Sequence, residues 1–174
     1  FEMDGRRFLA SRAETYDVFV MDAFGSSSIP FHLVTREAFA LAASRLAPDG
    51  MIMLNVQSVG WKSPLVSSLA ATLETHFSNV AAFPVTEPPN RVGNVLLFAS
   101  RRSLELDEEP PVPVDRFDAE YDRRHAWDNR FKPATASAAI FTDDRNYVDI
   151  WTEAVNVAER GVLHARFVKR DVSW

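Results

Sequence analysis

The strongest constraint on the fold is the run Tyr16-Asp17-Val18-Phe19-Val20-Met21-Asp22, in which five of the residues from Tyr16 to Met21 are large and apolar or β-branched. It ends in a carboxylate, and the residues after it are mostly small, polar or proline until a helical pattern begins near Thr35. A short apolar run without helical spacing is how a strand buried in a parallel sheet reads. In open α/β sheets ligands bind outside the carboxyl ends of the strands. Asp22 therefore stands where such a sheet keeps its chemistry.

The rest of the chain repeats the alternation. Phe8, Leu9 and Arg12 have helical spacing after a turn at Asp4-Gly5. Thr35 is the expected N-cap of a helix to about Leu46, with Ala38, Phe39, Ala42 and Leu46 on one face. Pro48-Asp49-Gly50 is expected to turn the chain, and Met51 to Val56 to form a second buried strand. An amphipathic helix from about Ser63 to Phe77 follows, then strands at Val80 to Val85 and Asn94 to Ala99 around a turn at Pro88-Pro89-Asn90. This order is α/β with parallel crossovers ending in an antiparallel hairpin.

Leu106 to Val114, rich in acids and prolines, is expected to be an exposed connector. The stretch holding Arg123, Arg124, His125 and Trp127 has no assignable structure. A final helix is expected from about Tyr147 to Arg160, with Asn146 as N-cap, Gly161 as its stop, and Ile150, Ala154 and Val157 toward the core.

At 174 residues the chain suits one domain, and a net charge of -5 disfavours nucleic acid while suiting a cationic small ligand. There is no cysteine, hence no disulfide frame, thiolate nucleophile or sulfur-ligated zinc. The four histidines lack ligand spacing, so no metal is implied. Gly25-Ser26-Ser27-Ser28 lacks the second glycine of a nucleophile elbow, and no phosphate loop with its lysine occurs. No apolar run approaches the ~20 residues of a membrane span. A cytoplasmic location is expected, and so is compatibility with being the soluble part of a membrane-anchored protein.

Three motifs can be read in two ways. Asp4-Gly5 is a turn, or a carboxylate that accepts from an adenine amino group beside a glycine that lets the base approach. Asp22 orders the following loop as an Asx-turn, or acts on substrate. In Thr142-Asp143-Asp144-Arg145-Asn146 the polar groups cap a helix, or the paired acids Asp143 and Asp144 hold a cationic substrate.

Taken together, Asp4-Gly5-Arg6-Arg7-Phe8-Leu9, Tyr16 to Phe24, Ile29 to Phe39, Leu46-Ala47-Pro48-Asp49-Gly50 and the Thr142 to Asn146 motif with Val148-Asp149 resemble the spermidine synthase (polyamine aminopropyltransferase) family. The likeness is to the branch often joined to a membrane transporter-like segment, with Tyr147 where a proline is usual. The resemblance implies a Rossmann-like fold shared with S-adenosylmethionine-dependent methyltransferases. It also implies aminopropyl transfer from decarboxylated S-adenosylmethionine to a diamine such as putrescine, without a metal.

By the same resemblance Asp22 is the catalytic acid. Asp4 and Gly5 meet the adenine, and Ala23, Pro30 and Leu33 line the nucleoside. The family's second acid falls on Gly25, which is expected to weaken diamine binding. Residues 1–105 are expected to be the C-terminal part of the nucleoside-binding domain, and 106–174 a connector and helical extension. The glycine-rich loop and first strands are expected to come from an upstream segment or another chain, a homodimer included. Two rivals are a methyltransferase using intact S-adenosylmethionine and a domain that binds a nucleoside, a polyamine or a protein without turnover.

Overall fold

The computed structural model describes residues 3–23, 29–85, 87–109 and 117–168. Four strands, β1 (Tyr16–Met21), β2 (Leu46–Val59), β3 (Asn79–Pro84) and β4 (Val92–Ser100), form one sheet in the order β1-β2-β4-β3. β1 and β2 are parallel, whereas β4 is antiparallel to both β2 and β3. Three strands therefore run one way, and β4 is inserted against them as the return arm of the expected hairpin.

The helices are α1 (Gly5–Ser11), α2 (Arg36–Ser44), α3 (Pro64–Glu74), α4 (Phe117–Asp128) and α5 (Val148–Val168). Each of the first three starts where its capping chemistry puts it. The Asp4 side chain accepts from the Arg7 amide, Thr35 from that of Ala38 and Ser63 from that of Val66, with Pro64 opening α3. These caps satisfy amides that the first helical turn leaves without partners.

Strand alternation divides the sheet into two faces. Ile52, Leu54 and Val56 of β2 pair with Ala99, Leu97 and Val95 of β4, and all six are buried. With Phe39 and Ala42 of α2, Leu69 and Leu73 of α3, and Val148 of α5 they form the main core. On the other face α4 packs against β3, where Phe83 meets Phe98 edge to face at 5.2 Å and lies 6.1 Å from Trp127. Two buried hydroxyls dock the late segment onto α3. Ser68 Oγ accepts the Ala139 amide, and Thr72 Oγ1 accepts that of Phe141 while donating to the Ser68 carbonyl.

Five expectations change, and the first is that the Tyr16–Met21 run forms its strand at an edge of the described sheet with no buried residue, rather than as a buried strand. Pro48-Asp49-Gly50 does not end in a turn before a separate strand but lies within β2. Leu46 pairs with Tyr16 and Met51 with Val18, so the surplus residues bulge out of register. Gly50 sits at that bulge, where a Cβ would come within 3.1 Å of the carbonyl oxygens of Tyr16, Asp17 and Ala47.

The stretch around Arg123 to Trp127 is helix α4. Gly161 is not a stop, because α5 runs through it to Val168; a glycine inside a helix costs only about 1 kcal/mol relative to alanine. The core face of α5 is also not the expected one. Val148, Thr152 and Val155 are buried, whereas Ile150 and Val157 are 67% and 58% exposed and Ala154 is exposed too. Both stripes have helical spacing, so periodicity could not choose between them. Burial of Thr152 is offset by its hydroxyl donating to the Val148 carbonyl at 2.9 Å.

Candidate functional site

Beside the β1 edge of the sheet lies a cleft of about 260 Å³, lined by Gly5, Arg6 and Leu9 of α1, Phe19 to Ala23, Leu33 and Ala38. It lies where β1 delivers Asp22 at its carboxyl end, which is where an open α/β sheet keeps a ligand. Its volume is below the ~300–1,000 Å³ of an ordinary small-molecule pocket. The walls are largely apolar, and Arg6 and Asp22 are the charged residues among those lining it.

Asp22 is exposed. One residue beyond the Met21 and Leu54 pairing, its Oδ1 accepts from Asn55 Nδ2 at 3.0 Å. The other end of that amide, Asn55 Oδ1, is buried with no partner among the described residues. A neutral donor thus orients the carboxylate without cancelling its charge. Asn55 was not anticipated, although a lone amide inside the apolar run Met51 to Val56 was the available signal.

Of the residues expected around the nucleoside, Gly5, Ala23 and Leu33 line the cleft together with Asp22, whereas Asp4 and Pro30 are not among the lining residues. Gly5 is not required by packing. A Cβ there would meet only Leu33 Cδ2 at 3.8 Å, an ordinary contact, so its effect is to leave the cleft wall low.

Asp4 has both oxygens engaged. Oδ1 caps α1 through the Arg7 amide, and Oδ2 lies 2.7 Å from His32 Nε2. The His32 hydrogen bond, then the Arg7 amide, hold its carboxyl below the ordinary value. An adenine amino group at this carboxylate would compete with His32. Pro30 stands at the head of the 3₁₀ turn Phe31–Leu33 and accepts the Leu33 amide. Gly25 lies outside the described residues.

Asp143 and Asp144 are the pair expected to hold a cationic substrate. Neither lines the cleft. Asp143 forms a two-point ion pair with Arg6, Oδ1 to Nη1 at 2.8 Å and Oδ2 to Nη2 at 2.6 Å, and Oδ1 also accepts from Thr35 Oγ1 at 2.7 Å. Its carboxyl is held below the ordinary value chiefly by the Arg6 hydrogen bonds, and Arg6 is correspondingly raised by Asp143. A carboxylate bonded on both oxygens is a poor receptor for another cation, and Asp144 is simply exposed. Asn146 also serves the structure, accepting from the Val148 amide at the head of α5 and donating to the Phe31 carbonyl. Among the described residues there is no cluster of three or more histidine, aspartate or glutamate side chains suited to a metal.

No protein-family model matches the chain. It is 24% identical over 164 aligned residues to a probable polyamine aminopropyl transferase of Bifidobacterium longum, covering 84% of this chain and 36% of that protein. To a polyamine aminopropyltransferase of Nitrosomonas europaea it is 29% identical over 80 residues, covering 46% and 25% respectively. The chain thus spans about a third or less of the length of these curated relatives. Its fold is similar to the crystal structure of a probable spermidine synthase from Corynebacterium glutamicum. The TM-score is 0.59 at 21% identity, with 81% of this chain and 52% of the other covered. The chain is thus similar in sequence to named polyamine aminopropyltransferases and in fold to a probable spermidine synthase.

Proposed function

We propose that the chain forms part of an aminopropyltransferase, which passes an aminopropyl group from decarboxylated S-adenosylmethionine to a small diamine such as putrescine. The observation that carries this reading is Asp22, delivered by β1 into a cleft whose walls include Gly5 and Leu33 and held there by Asn55. In the reaction an amine nitrogen attacks the carbon beside the sulfonium, the new C–N bond forms as the C–S bond breaks, and methylthioadenosine leaves. The nitrogen must then lose a proton, and the Asp22 carboxylate is the group in the cleft able to accept it or to aim the amine. Supplying decarboxylated S-adenosylmethionine and putrescine should yield methylthioadenosine. S-adenosylhomocysteine made from intact S-adenosylmethionine would instead indicate methyl transfer, and no product with either donor would sink both.

The same reading includes further strands beside β1. Its outer edge has no partner strand among the described residues, and Val18 and Val20 are 54% and 57% exposed. Such an edge invites pairing, and a cleft this small suits half of a nucleoside site. An upstream segment or another chain would complete it. β1 amides should then exchange slowly in a form carrying that segment and fast in this chain alone. No described helix is long and apolar enough to cross a membrane, and we assign the activity to the cytoplasm, where both substrates are small soluble metabolites.

A further inference from the structure

We propose that Asp143, from outside the cleft, sets the preference of the cleft for a cationic ligand by neutralising Arg6. The inference rests on the nucleoside reading above and concerns which charge state of that nucleoside the site takes. The lining carries two charged side chains of opposite sign, Arg6 and Asp22. Left unpaired, they would leave the cleft nearly neutral overall, with little to distinguish a sulfonium from the neutral thioether it becomes.

Arg6 is not left unpaired. Asp143 meets it through two hydrogen bonds at 2.8 and 2.6 Å, a planar arrangement suited to guanidinium and carboxylate. The Arg6 Nη1 group also donates to the His32 carbonyl at 3.2 Å. The Asp143 carboxylate is itself fixed by the hydroxyl of Thr35, a fully buried residue, and the Asp143 amide donates to Glu37.

Two carboxylates near Asp143 have their own hydrogen-bond partners. Glu37 pairs with Arg36 at 2.9 Å, and Asp4 with His32 at 2.7 Å. Asp22 is bonded by the uncharged amide of Asn55. Among the residues lining the cleft this leaves the Asp22 carboxylate as the uncompensated charge, to which Asp4 adds in the same sense wherever His32 is uncharged. The field favours a sulfonium or ammonium over an uncharged analogue of the same shape. The raised Arg6 and the lowered Asp143 agree with this pairing.

The test compares two probes that share a nucleoside, cationic decarboxylated S-adenosylmethionine and neutral methylthioadenosine, titrated calorimetrically against the form that carries the strands beside β1. The wild type should prefer the cation, and Asp143→Asn should reduce the ratio of affinities by roughly 3- to 10-fold at low salt. Asp143→Glu should keep it. Arg6→Gln should hold or raise the ratio, and Arg6→Gln with Asp143→Asn, which removes one charge of each sign, should restore the wild-type value. Because a ratio is read, a general loosening of the site does not imitate the effect. An unchanged ratio in Asp143→Asn, or a fall in Arg6→Gln, overturns the role of Asp143 alone. A wild type that binds both probes without distinguishing them overturns this inference alone, and one that binds neither overturns the nucleoside reading with it.

Discussion

The two edges of the sheet are finished differently. At β3 the backbone of Phe131 bridges to Ala82 through two hydrogen bonds of 2.9 Å, and α4 lays Trp127 against Phe83. At β1 no strand or bridge closes the outer side among the described residues, and Val18 and Val20 face outward. One edge is blunted in the way that sheets avoid unwanted pairing. The other stays open beside the cleft that holds Asp22. The difference teaches that buried packing is concentrated between β2, β4, β3 and α3, whereas the cleft and the edge without a partner strand among the described residues lie at β1.

The largest expected break in that contrast is chemical. Asp22→Asn keeps the shape and the Asn55 neighbour but removes the proton acceptor, so aminopropyl transfer should fall by ~10²–10⁴ with little change in melting temperature. Undiminished methylthioadenosine release by this variant would return Asp22 to ordering its loop.

On the closed side the effect should be reversed in kind. Leu73 is fully buried in α3, and Leu73→Ala should cost about 2–5 kcal/mol in denaturant unfolding, because the cavity it leaves can collapse only in part. A loss near zero would mean that the core is not where the sheet and helices place it.

Between these lies Gly5, which borders the open side. Gly5→Ala meets only an ordinary contact in the fold, so stability should stay level or rise by up to about 1 kcal/mol while nucleoside affinity drops. Unchanged affinity would move the ligand away from α1.

Acid should act on the α1 region rather than on the β3 side. Asp143 and Asp4 are both lowered in the folded chain, by Arg6 and by His32 respectively. Their contribution is complete above the ordinary carboxylate value near 3.8 and is lost as pH falls through their lower folded values. In Asp143→Asn the acid limb of a stability profile should be shallower, and a profile identical to wild type would mean that the ion pair with Arg6 adds nothing. The effect is limited by solvent, since Asp143 is 41% exposed.

The smallest effect is the sharpest probe of the open edge. Val20→Thr should change the stability of this chain by no more than ~0.5 kcal/mol, as surface changes do. In a form that carries strands beside β1 the same change should cost more. Equal small costs in both would mean that nothing packs there.

Sequence alone determined the elements whose signals are local. A side chain that caps its own helix lies within three residues of the amide it serves, so Thr35 announced α2, and Ser63, which was not read as a cap, carried the same local signal for α3. Strands carry their apolar content in one short run, so β1 and the hairpin of β3 with β4 could be read directly, although β1 itself has no buried residue. The resemblance to the family rests on motifs of the same length.

What only the tertiary structure decided is every choice between locally equivalent options. Ile150, Ala154 and Val157 repeat along α5 at the same helical spacing as Val148, Thr152 and Val155, and the position of the sheet selected the second stripe. Asp143 looked as available to a substrate as Asp22 did, and it is Arg6, 137 positions away in sequence, that engages it. Asn55 reaches Asp22 only because β2 lies parallel to β1 in one particular register. Charge pairing and strand register join residues far apart in the chain, and neither leaves a periodic mark along it.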